Sequence, residues 1–177
     1  TGIWPKKVVN YKTVMSDAAS GFTSVTYPFP VIRMADLYLM YAEALNEKGE
    51  DYATVLPWID MVRERSGLQG VKESWDQYVG NSKYATQTGL RQIIMQERRI
   101  ELAFEGHYFW DVRRWKTATT ELTQPLTGWK VRYGETDVDY YSENLVLVRD
   151  FTPKMYFWPI DIGELRKDPN LVQNYGW

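Results

Sequence analysis

The stretch from Gln96 to Trp115, QERRIELAFEGHYFWDVRRW, constrains the fold of this chain more than any other. It contains four carboxylates, four arginines and five aromatic rings, with one glycine, Gly106, between its two halves. A glycine adopts the left-handed conformation that ends a helix at little cost. The sequence therefore predicts two helices, of which the second begins at the bulky run that follows Gly106.

The first of these helices carries acidic residues on the face that should be buried. At helical spacing, one face contains Leu90, Ile94, Glu97, Glu101 and Phe104. A buried carboxylate needs a partner, and a guanidinium offers a fork of donors that matches it. The best placed donors in the sequence are Arg113 and Arg114, so we interpret all four groups as structural ion pairs that fix how two helices cross.

The same acids allow a catalytic interpretation. Glu97, Glu101, Glu105 and Asp111 could form an acid/base pair for glycoside hydrolysis or could ligate a metal. A general acid needs a raised pKa, whereas a neighbouring arginine lowers the pKa of a carboxyl group. His107 is the only histidine, but the helical di-metal pattern requires a Glu-x-x-His on each of two helices. We therefore predict no catalytic residue, no metal site and no cofactor.

Composition excludes several classes of function. A chain of 177 residues is most simply one domain, and its 21 basic and 23 acidic residues give a net charge of −2 without a basic run, which argues against a nucleic-acid partner. The absence of cysteine excludes disulfides and thiolate catalysis. The sequence contains no apolar run near the ~20 residues that a membrane-spanning helix needs.

The first half of the chain predicts a helical hairpin after an extended lead-in. Residues 1–30 are rich in Pro, Ser and Thr and do not indicate a helix. Residues 31–48 repeat apolar side chains every three or four positions, which predicts a helix that stops at Gly49. A second helix follows over residues 52–66, and Pro57 predicts either a late start or a kink in it.

The remainder predicts a second hairpin and an irregular end. Residues 67–88 show no sustained period and are expected to form a long loop, after which 90–104 and 108–116 form the second hairpin. In 117–177, the segments 128–133 and 144–149 alternate and could pair as a small β-hairpin. The tail is expected to wrap over the helices and to bury Tyr156, Phe157, Trp158 and Leu171.

Three motifs resemble a known family. They are VIRMADLYLMYAEALNEKG at 31–49, ERRIELAFEGHYFWDVRRWK at 97–116 and FWPIDIGELRKDPNLVQNYGW at 157–177, and together they are similar to the C-terminal region of the SusD/RagB outer-membrane lipoproteins of Bacteroidetes. The resemblance implies a mainly α fold of tetratricopeptide-like hairpins in a single region, 1–177. It also implies non-catalytic binding of glycans or other nutrients at the extracellular face of the outer membrane, and delivery to a TonB-dependent, SusC-like transporter.

The family is anchored through a lipidated N-terminal cysteine. This chain has no cysteine, so we expect the anchor, its only link to the membrane, to lie in an N-terminal portion outside the chain.

Aromatic residues in the connecting segments are the candidate ligand contacts. The chain has 27 aromatic rings, more than its predicted core consumes, and sugars stack their C–H faces on Trp and Tyr. The candidates are Trp75, Tyr78, Trp129, Tyr133, Tyr140 and Tyr141. Such rings often only fasten loops to a scaffold, so two alternatives remain open. One is a tetratricopeptide-like module for protein interaction without a small-molecule ligand, and the other is a glycosidase.

Overall fold

The computed structural model describes residues 5–15, 21–130 and 136–177. The chain divides into two compact units, of which one contains Pro5–Tyr108 and the other contains Phe109–Trp177. We call them the helical unit and the C-terminal unit. The single domain expected from chain length stays a prediction.

The helical unit is built on a helical hairpin. Its helices are α1 (Met34–Lys48), α2 (Tyr52–Arg65), α3 (Val71–Ser74) and α4 (Gln87–Glu101). Gly49 ends α1 in the left-handed conformation, with φ at 89°, as the sequence predicted. The late start predicted for α2 is wrong, because the Asp51 side chain accepts a hydrogen bond from the Ala53 N–H at 2.9 Å and caps the helix ahead of Pro57.

The third long helix begins earlier than its apolar stripe suggests. The Thr86 hydroxyl accepts a hydrogen bond from the Gly89 N–H at 3.1 Å, so α4 starts at Gln87 instead of Leu90. This helix packs against both α1 and α2. The shared core contains fully buried side chains from all three helices, among them Leu39, Val55, Ile59, Leu90 and Ile94. Helix α4 therefore packs on the first hairpin.

Residues 67–88 are more ordered than predicted. They form α3, a π-helical turn at Trp75–Val79 and a 3₁₀ turn at Lys83–Ala85. The buried side chains of Val71 and Tyr84 belong to the core. The prediction of a long irregular loop is wrong because each piece is shorter than the 11–18-residue window in which helical periodicity becomes visible.

Short elements flank the three long helices. The lead-in contains an antiparallel pair of two-residue strands, β1 (Val14–Met15) and β2 (Phe22–Thr23). Beyond α4, Gly106 has a φ of 83° and precedes α5 (His107–Arg114), as predicted. Phe104 also has a positive φ of 66°, which is rare for a side chain of this size.

The C-terminal unit contains only short elements. They are α6 (Ala118–Glu121), β3 (Leu126–Trp129), α7 (Asp137–Tyr140), β4 (Glu143–Leu147), a 3₁₀ turn (Pro153–Tyr156) and α8 (Ile162–Lys167). Strands β3 and β4 pair antiparallel, with Gly128 opposite Asn144, and an irregularity follows Leu126. The small β-hairpin is confirmed, although it begins two residues earlier than predicted.

One arginine holds the tail of this unit. The Arg113 guanidinium donates to the carbonyl oxygens of Met155 and Tyr156, both at 2.6 Å, and Trp158 lies 5.6 Å from it. The predicted burial of tail side chains is largely wrong, because Phe157, Trp158 and Leu171 are exposed and Tyr156 is only half-buried. Tyr156 adds to the attachment, since its hydroxyl accepts from the Thr119 N–H at 3.4 Å and the Lys116 ammonium group lies 4.9 Å from its ring centroid.

Candidate ligand-binding site

The hairpin of β3 and β4 brings three of the predicted rings together. Trp129 is the last residue of β3 and lies opposite Glu143. Helix α7 follows in the connection, where the Thr136 hydroxyl accepts from the Asp139 N–H at 3.2 Å. The Lys130 N–H donates to the Tyr140 carbonyl at 3.2 Å, which ties the end of α7 to the end of β3. Tyr140 and Tyr141 therefore lie beside Trp129.

The three rings form one cluster. The centroids of Trp129 and Tyr141 are 5.3 Å apart, those of Tyr140 and Tyr141 are 5.0 Å apart, and those of Trp129 and Tyr140 are 6.5 Å apart. The first two pairs meet edge to face, which is a favoured arrangement of aromatic rings. We call Trp129, Tyr140 and Tyr141 the ring cluster.

The ring cluster is open to solvent. Trp129 is 41% exposed and Tyr141 is 60% exposed, so part of each ring is not used by its neighbours. Carboxylates lie on the same hairpin, at Asp139 in α7 and at Glu143 in β4. Exposed ring faces beside a few polar groups are the composition of a small-molecule site. The arrangement can hold a sugar ring by its C–H face and accept hydrogen bonds from its hydroxyl groups.

The other predicted rings lie elsewhere. Trp75 belongs to the helical unit, where it packs against the core and has the Lys83 ammonium group 5.5 Å from its centroid. Tyr78, in the same π-helical turn, is 73% exposed. Tyr133 lies outside the described residues. Of the six rings, Trp129, Tyr140 and Tyr141 are the three that the structure shows in mutual contact.

The acids of α4 are paired, but with arginines other than those predicted. Arg63 of α2 donates to Glu97. Glu101 accepts from Arg33 at 2.8 Å and from Arg65 at 2.7 Å. Arg113 and Arg114 were predicted as the donors because they are near in sequence. The actual donors come from the two ends of the first hairpin, since α4 lies directly against α1 and α2.

The arginines that follow Gly106 donate to other groups. Arg113 attaches the tail, and the Arg114 Nε donates to the buried Asp111 carboxylate at 2.9 Å within α5. In the helical unit, Arg98 donates to Asp36 at 2.8 Å, and both residues are buried. Among the described residues, no cluster of three or more His, Cys, Asp or Glu side chains could hold a metal ion.

Glu105 illustrates the effect of pairing on an acid. Burial opposes ionisation of its carboxyl group, but hydrogen bonds from Arg33 and Lys7 outweigh burial and hold the pKa below its ordinary value. Such a group is ionised at neutral pH and has no proton to give to a leaving group. Glu105 is thus suited to holding cations in place and unsuited to general acid catalysis.

Sequence reasoning missed one acid with the opposite behaviour. Burial raises the pKa of Asp60, and the nearby Glu73 raises it further, although the Val71 N–H donates to Asp60 at 2.8 Å. The two carboxyl groups converge on Gly70, where a Cβ atom would lie 3.0 Å from an Asp60 oxygen and 2.4 Å from a Glu73 oxygen. Gly70 was the sequence signal for this pair of acids, because any side chain at position 70 would displace one of the two carboxyl groups.

The described part of the chain contains no helix that is both long enough and apolar enough to cross a membrane. Three long packed helices, with a ring cluster on a separate hairpin, define a mainly α, tetratricopeptide-like protein with a candidate site for a small ligand. The chain belongs to the SusD family, which it matches over residues 1–177.

Relatives match the chain in sequence and in structure. The chain is 39% identical over 144 residues to SusD-like protein P25 of Formosa agariphila, covering 81% of this chain and 23% of that protein. It superimposes on BT4246 with a TM-score of 0.74 and 27% identity, covering 89% of this chain and 25% of that one. It superimposes on BF0978, a SusD-like carbohydrate-binding protein from Bacteroides fragilis NCTC 9343, with a TM-score of 0.66 and 31% identity, covering 84% and 29%. The chain thus spans about a quarter of the length of these relatives.

Proposed function

We propose that this protein binds oligosaccharides at the cell surface and releases them chemically unchanged to a TonB-dependent, SusC-like transporter. The observation that carries the proposal is the ring cluster, in which Trp129 and Tyr141 are in contact and both are exposed to solvent. Membership of the SusD family supports it, as does the carbohydrate binding of BF0978.

Reversible binding follows from the openness of the site. A sugar on an exposed ring exchanges hydrogen bonds to water for hydrogen bonds to protein at a small net gain. Weak to moderate affinity suits a protein that must hand its ligand on. The absence of turnover is supported by Glu105, whose pKa is held below its ordinary value by Arg33 and Lys7, so that it has no proton to give in glycoside hydrolysis, and by Glu97 and Glu101, whose oxygens are occupied by arginines.

The direct test is calorimetric titration of the full chain with a panel of neutral oligosaccharides, with product analysis of the same mixtures. Tyr141→Ala should weaken binding about tenfold, since stacking of one ring contributes about 1–1.5 kcal/mol. Tyr175→Ala is the matched control, because Tyr175 is an exposed tyrosine of the same unit outside the ring cluster. Equal affinities for the two variants would remove the ring cluster from the proposal. Cleaved products that vanish in Glu101→Gln would show a glycosidase.

Location and delivery need a separate experiment. We propose that the protein resides on the extracellular face of the outer membrane, held by a lipid anchor. Surface labelling of intact cells should modify the protein, and affinity purification should recover a SusC-like transporter with it. Recovery of the protein in the cytoplasm alone would contradict both parts of this proposal.

A second candidate is a protein-interaction module, favoured by the outer face of the first hairpin. Exposed apolar side chains follow α1 and α2 there: Met34, Leu37, Met40, Tyr41 and Met61. Tyr41 also meets Trp58 edge to face at 4.7 Å. Met40→Glu should abolish binding to a protein partner and leave oligosaccharide binding intact. If the panel gives no binding while Met40→Glu disrupts a complex, the interaction module is the better description.

A further inference from the structure

One cavity of the helical unit has the features of a ligand site, and its lining contains none of the predicted rings. It measures about 290 Å³ and lies where the lead-in passes the start of α1 and the end of α2. Its lining combines two aromatic rings with four charged groups: Tyr27, Phe29, Lys7, Arg33, Arg65 and Glu105. We call it the lead-in cavity.

The charges around the lead-in cavity form a network with an excess of cations. Arg33 holds Glu105 through two hydrogen bonds of 2.8 Å, and the Lys7 ammonium group lies 2.5 Å from the same carboxylate. Glu101 accepts from both Arg33 and Arg65. Among the described residues of this network, three cations share two carboxylates, which is an excess of one positive charge.

Arg65 is the cation that remains open to a ligand. Its side chain is 58% exposed, whereas those of Arg33 and Lys7 are 20% and 35% exposed. Its Nη2 atom donates to Glu101, and within the described residues its Nε and Nη1 atoms have no hydrogen-bond acceptor. These free N–H groups can donate to the oxygens of a carboxylate or a sulfate.

A smaller cavity of about 150 Å³ adjoins the first and shares Arg33 and Arg65 with it. Met34 and Ala35 line this smaller cavity at the start of α1. Arg33 is the N-cap residue of this 15-residue helix, and its side chain, which has no acceptor atom, makes no capping hydrogen bond. The positive end of this helix dipole adds to the attraction for an anion.

We propose that the lead-in cavity is a subsite for an acidic sugar, with the anionic group at Arg65 and the sugar ring against Phe29 and Tyr27. The anionic group is a carboxylate or a sulfate ester, which offer the same oxygens to the guanidinium. This inference rests on the proposed function, because it names the chemical class of oligosaccharide that the protein takes. It adds a site in the helical unit to the ring cluster of the C-terminal unit.

Two pairs of ligands, whose members differ in charge, test the effect of the anionic group on binding. Trigalacturonate is compared with its fully methyl-esterified form, and a sulfated galactotriose is compared with its unsulfated parent. Calorimetry on the full chain should show about tenfold tighter binding of the charged member of at least one pair, and the pair that responds identifies the anionic group. The preference should shrink as salt is raised, because Arg65 is exposed and its charge is screened.

Variants of the protein test whether the preference for the charged ligand arises at the lead-in cavity. Arg65→Gln should abolish the preference for the charged ligand, and Arg65→Lys should restore part of it, because lysine keeps the charge and loses the fork. Arg91→Gln is the control, since Arg91 also makes an exposed two-bond pair, with Glu47, and does not line the cavity. Phe29→Ala should weaken both members of the responding pair, whereas Phe22→Ala, which removes an equally exposed ring, should weaken neither.

Each outcome decides between the two proposals. Equal binding of charged and neutral ligands, or a preference that survives Arg65→Gln, would overturn the acidic subsite and leave the ring cluster standing. Neutral binding that is lost in Tyr141→Ala but kept in Arg65→Gln, together with an acidic preference lost in Arg65→Gln, would support both sites. Absence of binding for all four ligands in the unmodified chain would overturn the acidic subsite, while the neutral panel tests the proposed function independently.

Discussion

The helical unit and the C-terminal unit are stabilised in different ways. The first has three long helices around a continuous apolar core, with arginine–carboxylate pairs linking the helices. The second has elements of at most eight residues, and its tail is attached through Arg113 to backbone carbonyl groups. Apolar burial resists change through many small contacts, whereas the two hydrogen bonds to the Met155 and Tyr156 carbonyls both depend on the single side chain of Arg113.

The different stabilisation of the two units affects the kind of binding site that each unit can carry. A site on a short hairpin can vary without disturbing the core, because its residues contribute little to the packing of the long helices. The ring cluster has this character, since its rings contact one another across β3 and α7. The lead-in cavity is built on the ends of α1 and α2, so its arginines serve both the ion-pair network and the proposed ligand.

The largest effect is expected from the core of the helical unit. Leu39→Ala should lower the free energy of unfolding by about 4 kcal/mol, because it leaves a cavity where the side chain is fully buried. Leu37→Ala, in the same helix and exposed, should cost about 0.5 kcal/mol. Chemical denaturation followed by circular dichroism measures both. Similar losses for the two variants would mean that α1 does not bury the face assigned to it.

The second effect concerns the ion pairs. Glu101→Ala should cost about 3 kcal/mol, because Arg33, half-buried, loses one of its two carboxylate partners. Glu47→Ala removes a more exposed partner of Arg91 and should cost below about 1 kcal/mol. Thermal unfolding compares the two. An unchanged midpoint for Glu101→Ala would remove the ion pairs from the account of how the helical unit is held together.

A smaller and more local effect is expected in the C-terminal unit. Arg113→Lys should cost about 2 kcal/mol, because an ammonium group cannot donate along the same fork to the carbonyls of Met155 and Tyr156. Hydrogen exchange measured by mass spectrometry should speed up in residues 150–158 and stay unchanged in α1 and α2. Arg166→Lys, an exposed change in α8, is the control. Uniformly faster exchange along the chain would contradict a local attachment.

The smallest effect is a change of stability with pH, which should have opposite signs for variants of two acids of the helical unit, Asp60 and Glu105. Asp60 has a raised pKa in the folded state, so its ionisation reduces stability as pH rises from its ordinary value of 3.8 through the folded value. Asp60→Asn, which keeps an acceptor for the Val71 N–H, should therefore stabilise the protein at pH 7. The gain should vanish at a pH below 3.8.

Glu105 is the control, because its replacement should change stability at neutral pH in the opposite direction. Its folded pKa is lowered, so its contribution to stability is present above its ordinary value of 4.5 and is lost as pH falls through the folded value. Glu105→Gln should destabilise the protein at pH 7 and have little effect in acid. Melting curves of both variants across pH test the pair, and equal signs at pH 7 would show that burial and pairing are wrongly assigned.

Local patterns in the sequence predicted the long elements well. The apolar repeats of α1 and α4, the stop at Gly49 and the turn at Gly106 depend on neighbours within a few positions, and all four are confirmed. The alternation that predicted the pairing of β3 with β4 is equally local. The short pieces within 67–88 were missed because none is long enough to show a period.

What the sequence by itself determined is the kind of groups that must meet: buried acids that require arginines, and rings that exceed the needs of the core. Only the tertiary structure decided which of them meet, because ion pairs and ring contacts depend on how elements distant in sequence pack. Glu101 accordingly pairs with Arg33 and Arg65, which are 68 and 36 positions away, and not with the nearby Arg113. The same packing created the lead-in cavity, whose lining residues share no pattern that a reader of the sequence could have found.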